Sequence, residues 1–426
     1  MTSLHIQKRK LWRNAGTTAA IKVLGAGLTY AMFTIVAKSM SVQEYGYFSA
    51  SFSMATLFCH ISLFGQSQFL LRSLPQIEDN DDHIAAAQLR RSHFIWIFGS
   101  FFSSIAIGIY IFLSSGSHIY STIALTLAMG WADMQLHALR GRGYVFYAFS
   151  NRDIAWRLAV ILGVITFYVG NVNFDAERAL WLSAVSLGIL TLVQSMLDRK
   201  GNVWRRGVKF YNVSTFEIKA YASYWFGAVM SAGMPNLSTI LIATTLSVRD
   251  AGIFFACLKT AQAMQFLPSS MTLVAAPQLS RGFGRGDISS VKSVVRYIGV
   301  FAIISSAIIL SFIAFFGEDI LAFFGDGFEE GYPILLILIF GYTLSSACGP
   351  TIGILSQSGK PGIMNRITFL VNGISIIMLP LFATIWGSIG VAIAFSLSVS
   401  VTHILIWMWI WRNMGFDSSV LSVFKN

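Results

Sequence analysis

The feature that most constrains this chain is a stretch that occurs twice without a gap. Val23, Ala26-Gly27, Ala37, Ser41-Val42, Gly46, Phe48 and Ala50 return 206 positions later as Val229, Ala232-Gly233, Ala243, Ser247-Val248, Gly252, Phe254 and Ala256. Nine of 31 aligned positions are identical, where chance in so apolar a chain would give roughly two or three. Each copy is a long apolar run, a short polar break and a second apolar run. The break keeps its acid, Glu44 against Asp250. A duplicated pair of spanning helices points to a membrane protein built from two related halves, the plan of many transporters.

Composition excludes a water-soluble fold. Only 12% of the 426 residues are charged and 55% are hydrophobic, against roughly 25% charged in a soluble domain. Too little polar surface exists to cover a globule. The 36 glycines and 35 phenylalanines suit closely packed helices in lipid. Cys59, Cys257 and Cys348 lie singly inside apolar runs, which is neither a metal spacing nor a disulfide framework. The net charge of +11 sits in short loops, so membrane orientation explains it better than nucleic acid.

Apolar runs fall at about 14–38, 46–70, 93–113, 119–139, 154–170, 179–197, 224–246, 251–275, 294–316, 333–355, 363–385 and 388–411. Most approach the ~20 residues needed to span; 154–170 is the shortest. The first is too long for a signal-peptide core and has no small-residue cleavage site after it. The fold expected is therefore all-α and polytopic, about twelve spans in two pseudo-symmetric six-helix bundles, 1–197 and 224–426. Between them lies a basic cytoplasmic linker, 198–223, which reads either as a surface-lying amphipathic helix or as a solvated connection.

Orientation follows from Lys and Arg. With the N-terminus inside, the inner segments hold 25 of the 30 basic residues, beginning with Lys8, Arg9, Lys10 and Arg13. The outer segments hold only Lys38, Arg178 and Arg249, and Lys22 and Lys259 fall within spans. That asymmetry places both termini in the cytoplasm.

Charge inside lipid is costly, so charge deep in a span is a functional candidate. Lys259 lies ~12 Å into its span, with Gln262 and Ser269 on its face. Lys22 is similarly deep, with Thr18, Gly25 and Thr29 on its face. Either lysine reads as a cationic cavity residue or as the partner of a structural carboxylate. Asp133, His137 and Arg140 share one helix face by spacings of four and three. This face suits proton or ion coupling by Asp133 and His137, or a plain ion pair fixing the helix end. Arg72 and Arg157 lie near interfaces and are expected to snorkel. Pro235, flanked by Gly233 and Asn236, should kink the seventh span. Its counterpart is Thr29, so both first helices look locally weak where a transporter bends. No phosphate loop, zinc motif, nucleophile elbow or paired lumenal acids occur, so no enzyme chemistry, metal or cofactor is expected.

Four segments carry a family resemblance: A-K-S-M-S-V-Q-E-Y-G-Y-F at 37–48, F-G-Q-S-Q-F-L-L-R-S-L-P at 64–75, A-T-T-L-S-V-R-D-A-G-I-F at 243–254 and F-F-G-D-G-F-E-E-G-Y at 323–332. They resemble the Wzx-type polysaccharide flippases of the multidrug/oligosaccharidyl-lipid/polysaccharide (MOP) exporter superfamily. The layout agrees over nearly the whole chain. The resemblance implies a V-shaped, MATE-like pair of bundles in the bacterial cytoplasmic membrane, moving undecaprenyl-diphosphate-linked oligosaccharides to the outer leaflet by alternating access. It implies a cationic cavity, for which Lys22 and Lys259 fit by depth and Arg140 by proximity. Its partners would be the lipid-linked substrate, membrane lipids and other polysaccharide assembly proteins, with no nucleic acid.

Two alternatives stay open. A multidrug or cation antiporter of the same superfamily would favour acids in its cavity, and Asp133 is the one acid deep in a span. A membrane polymerase or ligase would need a large outer loop with catalytic Arg or His, and the outer loops here are short.

Overall fold

The computed structural model describes residues 21–77, 82–113, 118–198 and 215–423. Every regular element among them is helical: α1 (Ile21–Lys38), α2 (Val42–Ser62), α3 (Gln66–Ser73), α4 (Asp82–Leu113), α5 (Ile119–Gly141), α6 (Val145–Phe149), α7 (Trp156–Val169), α8 (Ala176–Leu197), α9 (Thr215–Thr245), α10 (Val248–Arg285), α11 (Ile288–Ala322), α12 (Tyr332–Ala347), α13 (Thr351–Gln357) and α14 (Pro361–Met414). The all-α class expected from the sequence is the one observed. The basic N-terminal stretch, Thr18 and most of the 198–223 linker lie outside the described residues.

Within the described residues each of the twelve apolar runs falls on helix, but several spans are composite. The run 46–70 is α2 followed by α3 across a 53° bend, where Phe64 and Gly65 take positive φ. The run 333–355 is α12 and α13 around Gly349 (φ 80°). The short run 154–170 is the tail of a longer helical segment: α6, a π-helix over Ser150–Ala155 and α7 follow without a break. Its hydropathy is diluted by Arg152, Asp153 and Arg157. At 54 residues, α14 exceeds twice the length that crosses a ~30 Å core. Gly387 (φ 60°, ψ −143°) divides it into two helices, where the runs 363–385 and 388–411 meet. Among the described residues, seven helices are long and apolar enough to cross a membrane, or eight with the bent α2–α3 pair. The helices α5 and α10, which carry Asp133 and Lys259, are not among them.

The spanning helices are inside-out relative to a soluble protein. Phe94, Phe98, Phe102, Ile105, Ile109 and Phe112 form an exposed stripe along α4, spaced three or four apart as one helix face requires. What they turn inward mixes large apolar with small and polar side chains: α2 buries Tyr45, Phe48 and Met54 alongside Ser49, Ser53 and Ala55 in the unit where it packs on α5 and α8. Small residues let backbones approach where the solvent is lipid and no hydrophobic force drives association.

The duplication extends far beyond the 31 residues that reveal it. The starts of α2 and α10 (Val42, Val248), the ends of α5 and α12 (Gly141, Ala347) and the starts of α6 and α13 (Val145, Thr351) are each 206 positions apart. So are the left-handed glycines Gly143 (φ 85°) and Gly349 (φ 80°). The polar break is a repeated helix cap. The Ser41 hydroxyl accepts from the Glu44 amide at 3.2 Å, and the Ser247 hydroxyl from the Asp250 amide at 3.0 Å, which satisfies an orphan donor of each helix.

Packing divides the chain into two compact units. One joins the chain up to Thr34 with Leu241 onward; the other is Ile35–Ile240. These units depart from the expected halves 1–197 and 224–426 by one segment each, since most of α1 joins the second half and most of α9 the first. The crossover points Thr34 and Ile240 are again 206 positions apart.

The paired glycines allow a clean test. Both need a conformation that costs an L-residue about 1–2 kcal/mol. At Gly143 an added Cβ meets nothing within 4 Å, whereas at Gly349 it would lie 1.9 Å from the Ser418 carbonyl oxygen. Gly349→Ala is therefore expected to destabilise the detergent-solubilised protein clearly more than Gly143→Ala in a thermal melt. Equal losses would mean that the close approach of the 418 backbone costs nothing.

Candidate functional site

In the Ile35–Ile240 unit, buried charge converges at the end of the α5–α7 hairpin. The π-helix over Ser150–Ala155 brings Arg152 back to α5, where its Nη1 is hydrogen-bonded to Asp133 Oδ1. The Asp133 side chain is 6% exposed and that of Arg152 27%. Inserted π-turns of this kind are frequent at functional sites. His137 donates from Nδ1 to the Asp133 carbonyl oxygen at 2.8 Å and stands 3.5 Å from Asp133 Oδ2. Gln68 Nε2 lies 3.4 Å from the other ring nitrogen, an arrangement that suits a neutral imidazole protonated on Nδ1. His60 of α2 is within electrostatic reach of the same carboxylate.

A second tier surrounds this pair. Arg157 Nη1 donates to the Arg152 carbonyl oxygen and lies 3.5 Å from Asp153 Oδ1. Arg140 stands over the Phe149 ring at 5.0 Å and faces both Asp133 and Asp153 electrostatically. Asn151, also on the π-helix, donates to Gln194 Oε1 of α8 at 2.9 Å. Three arginines thus sit with two carboxylates, a cationic excess packed among α5, the π-helix and α7. Asp133, His137 and Arg140 come together as their spacing suggests. Arg152 is the member that sequence reasoning missed, and Arg157, expected to snorkel, is instead 14% exposed beside Asp153.

Lys259 belongs to the other unit. It is half-buried, eleven residues into α10, or ~17 Å along the axis. Its ammonium lies over the faces of Phe255 (4.8 Å) and Phe33 (5.5 Å), rings that meet edge to face at 5.1 Å. It also donates to Gln262 Oε1 at 3.3 Å, and Gln262 shares a hydrogen bond with the Tyr342 hydroxyl. The side chain of Ser269 lies outside the described residues. Lys22 is half-buried at the start of the described part of α1. It precedes Phe33 by eleven residues, about 17 Å along that helix, so the structure does not gather the two lysines into one site. Pro235 lies inside α9, which is continuous from Thr215 to Thr245.

The same unit holds a cavity of about 450 Å³ beside the α12–α13 bend. Its polar lining is Thr272, Ser345, Ser346, Thr351, Ser356, Gln357 and His403. The Thr351 hydroxyl and His403 Nδ1 are 2.9 Å apart. Among the described residues, no group of His, Cys, Asp and Glu is arranged to hold a metal ion.

No family profile matches the chain, and no curated protein matches its sequence. Solved structures do. An inward-facing multidrug resistance MATE family transporter of the MOP superfamily superposes with a TM-score of 0.68 at 13% identity, over 97% of this chain and 99% of the other. A MOP superfamily transporter from Pyrococcus furiosus, described as having a binding pocket of reverse polarity, gives 0.67 at 12% identity over 97% of both chains. The MATE multidrug transporter DinF-BH, solved as a complex, gives 0.68 at 17% identity over 98% of this chain and 97% of its own. This chain is therefore a multi-pass membrane protein with the fold of the MATE transporters of the MOP superfamily.

Proposed function

We propose that this protein translocates undecaprenyl-diphosphate-linked oligosaccharides from the inner to the outer leaflet of a bacterial cytoplasmic membrane, with both termini cytoplasmic. The observation that carries the reading is the sign of the buried charge. Arg140, Arg152 and Arg157 outnumber Asp133 and Asp153 inside one unit, and the other holds Lys259 at mid-span depth. Positive groups in low dielectric attract a diphosphate strongly, and such charge is retained in spans only at a cost. A reverse-polarity pocket prompted the suggestion of a different function for the Pyrococcus furiosus transporter. A cationic pocket would likewise set this chain apart from an exporter of cations. Asp133 and His137 are the groups proposed to couple the cycle to protons, Lys22 is proposed to add to the cationic lining, and Pro235 to give α9 its bend.

A multidrug or cation antiporter is the second reading, favoured by the fold neighbours and by buried Asp133. One experiment separates the two. Deleting the gene is expected to abolish surface glycan, with restoration by the intact gene, while resistance to cationic dyes stays unchanged. A deletion strain that still delivers repeat units to the outer leaflet would refute the flippase reading. Dye sensitivity in that strain would establish the second.

A further inference from the structure

We propose that the cavity beside the α12–α13 bend binds an uncharged, polyhydroxylated ring, a sugar unit of the substrate; this rests on the lipid-linked oligosaccharide reading above. The cavity's volume, about 450 Å³, falls in the ~300–1,000 Å³ range of small-molecule sites. Its chemistry is that of a sugar's partner. Thr272 and Ser356 offer hydroxyls and Gln357 an amide, while the Ser345 hydroxyl, which donates to the Tyr342 carbonyl oxygen, and the paired Thr351 and His403 keep part of their hydrogen-bonding capacity for a ligand. No Asp, Glu, Lys or Arg is among the described lining residues, so nothing there would repay the desolvation of a charged ligand. Ile298, Ala302 and Ile352 supply apolar wall for the CH faces of a ring.

The internal repeat shows why this space is open. The lining residues Ala276, Ala302 and Ser346 correspond, 206 positions earlier, to Leu70, Trp96 and Arg140. In the first half Leu70 is fully buried. Trp96 presses so closely on Gly130 that a Cβ there would lie 2.4 Å from its Nε1. The first half thus fills with bulk and charge the place that the second half leaves open and lines with hydroxyls. The place that is charged and filled in the first copy of the repeat is neutral and open in the second, which suits it to an uncharged sugar.

The test uses the full-length protein in nanodiscs. Its melting temperature is measured with methyl glycosides of glucose, galactose and N-acetylglucosamine, and with glucuronate and inorganic phosphate. At least one neutral glycoside is expected to raise it in a saturable way that survives addition of phosphate. Ala276→Leu, which restores the first half's residue, should remove that shift, and Gln357→Leu should weaken binding about tenfold, as unmade hydrogen bonds do. Ala302→Trp is the second filling variant should Ala276→Leu fail to fold. No shift with any neutral glycoside, or a shift that persists in the filled variants, overturns the site and leaves a cavity holding water only. The two readings fail separately. Wild-type transport of a lipid-linked oligosaccharide with equal transport by Ala276→Leu would remove the sugar site and leave the flippase. A glycoside shift abolished by filling, in a protein that flips no lipid-linked oligosaccharide, would keep the site as a sugar site and remove the flippase.

Discussion

Replacing Arg152 with alanine is expected to cost about 3–5 kcal/mol of stability, the typical loss when one partner of a buried ion pair is removed. The cost comes from what is left behind. Asp133, its side chain 6% exposed, would keep its charge with the contact to Arg152 gone. Exposure decides the magnitude. Arg178 and Asp175 are also paired, at 3.6 Å, but their side chains are 43% and 42% exposed. Arg178→Ala should therefore change stability by no more than about 1 kcal/mol. The double variant Asp133→Leu/Arg152→Leu removes both charges and should recover much of the loss, because a matched apolar pair avoids the desolvation penalty. Thermal melts in detergent measure all three, and the double-mutant cycle isolates the coupling. Arg152→Ala melting like the parent would mean that the carboxylate finds another cation, Arg140 or Arg157 being nearest to hand. Transport then separates roles. A stable double variant that flips substrate normally would make the pair a structural staple, whereas a stable variant that does not would make it machinery.

The sequence exposed this site only in part, for a physical reason. Asp133, His137 and Arg140 lie at spacings a helix places on one face, so periodicity alone joins them. Arg152 is nineteen residues from Asp133, beyond a bend at Gly143 and within a π-turn, and no period links the two. Its charge, with those of Asp153 and Arg157, instead made the fifth apolar run look like a short span after a basic loop. The bends show the same limit. Pro235 marks an expected kink in α9, while other interruptions of helix occur at Gly387, Gly65 and Gly349, glycines indistinguishable in sequence from the many that merely pack. The repeat fared better, because cap and break residues are chosen by backbone chemistry and survive when apolar residues drift. Only once helix ends and Gly143/Gly349 are superposed does the 206-residue offset extend to the residues that fill one half and open the other.

Lys259→Met should lower flipping of a lipid-linked oligosaccharide by about ten- to a hundredfold with little change in protein level. Methionine keeps the length and apolar contact of the lysine stem, so the packing against Phe33 and Phe255 is largely retained. What disappears is the ammonium. Over two ring faces it gains about 0.5–2 kcal/mol per contact, yet that stabilises the lysine in place and would not affect transport by itself. A charge-assisted hydrogen bond to a phosphate oxygen contributes about 1.5–3 kcal/mol, and at about 1.4 kcal/mol per decade its loss gives the stated range. Lys259→Arg discriminates between charge and shape. It keeps the charge but replaces a compact, rotatable donor with a planar fork, which must share the space held by Phe33, Phe255 and Gln262, so partial activity is expected. Proteoliposomes loaded with fluorescent lipid-linked oligosaccharide and quenched from outside give the rates. If Lys259→Met matches the wild-type rate, the mid-span lysine only packs against its aromatic neighbours, and the diphosphate must be met by the arginines of the other unit alone.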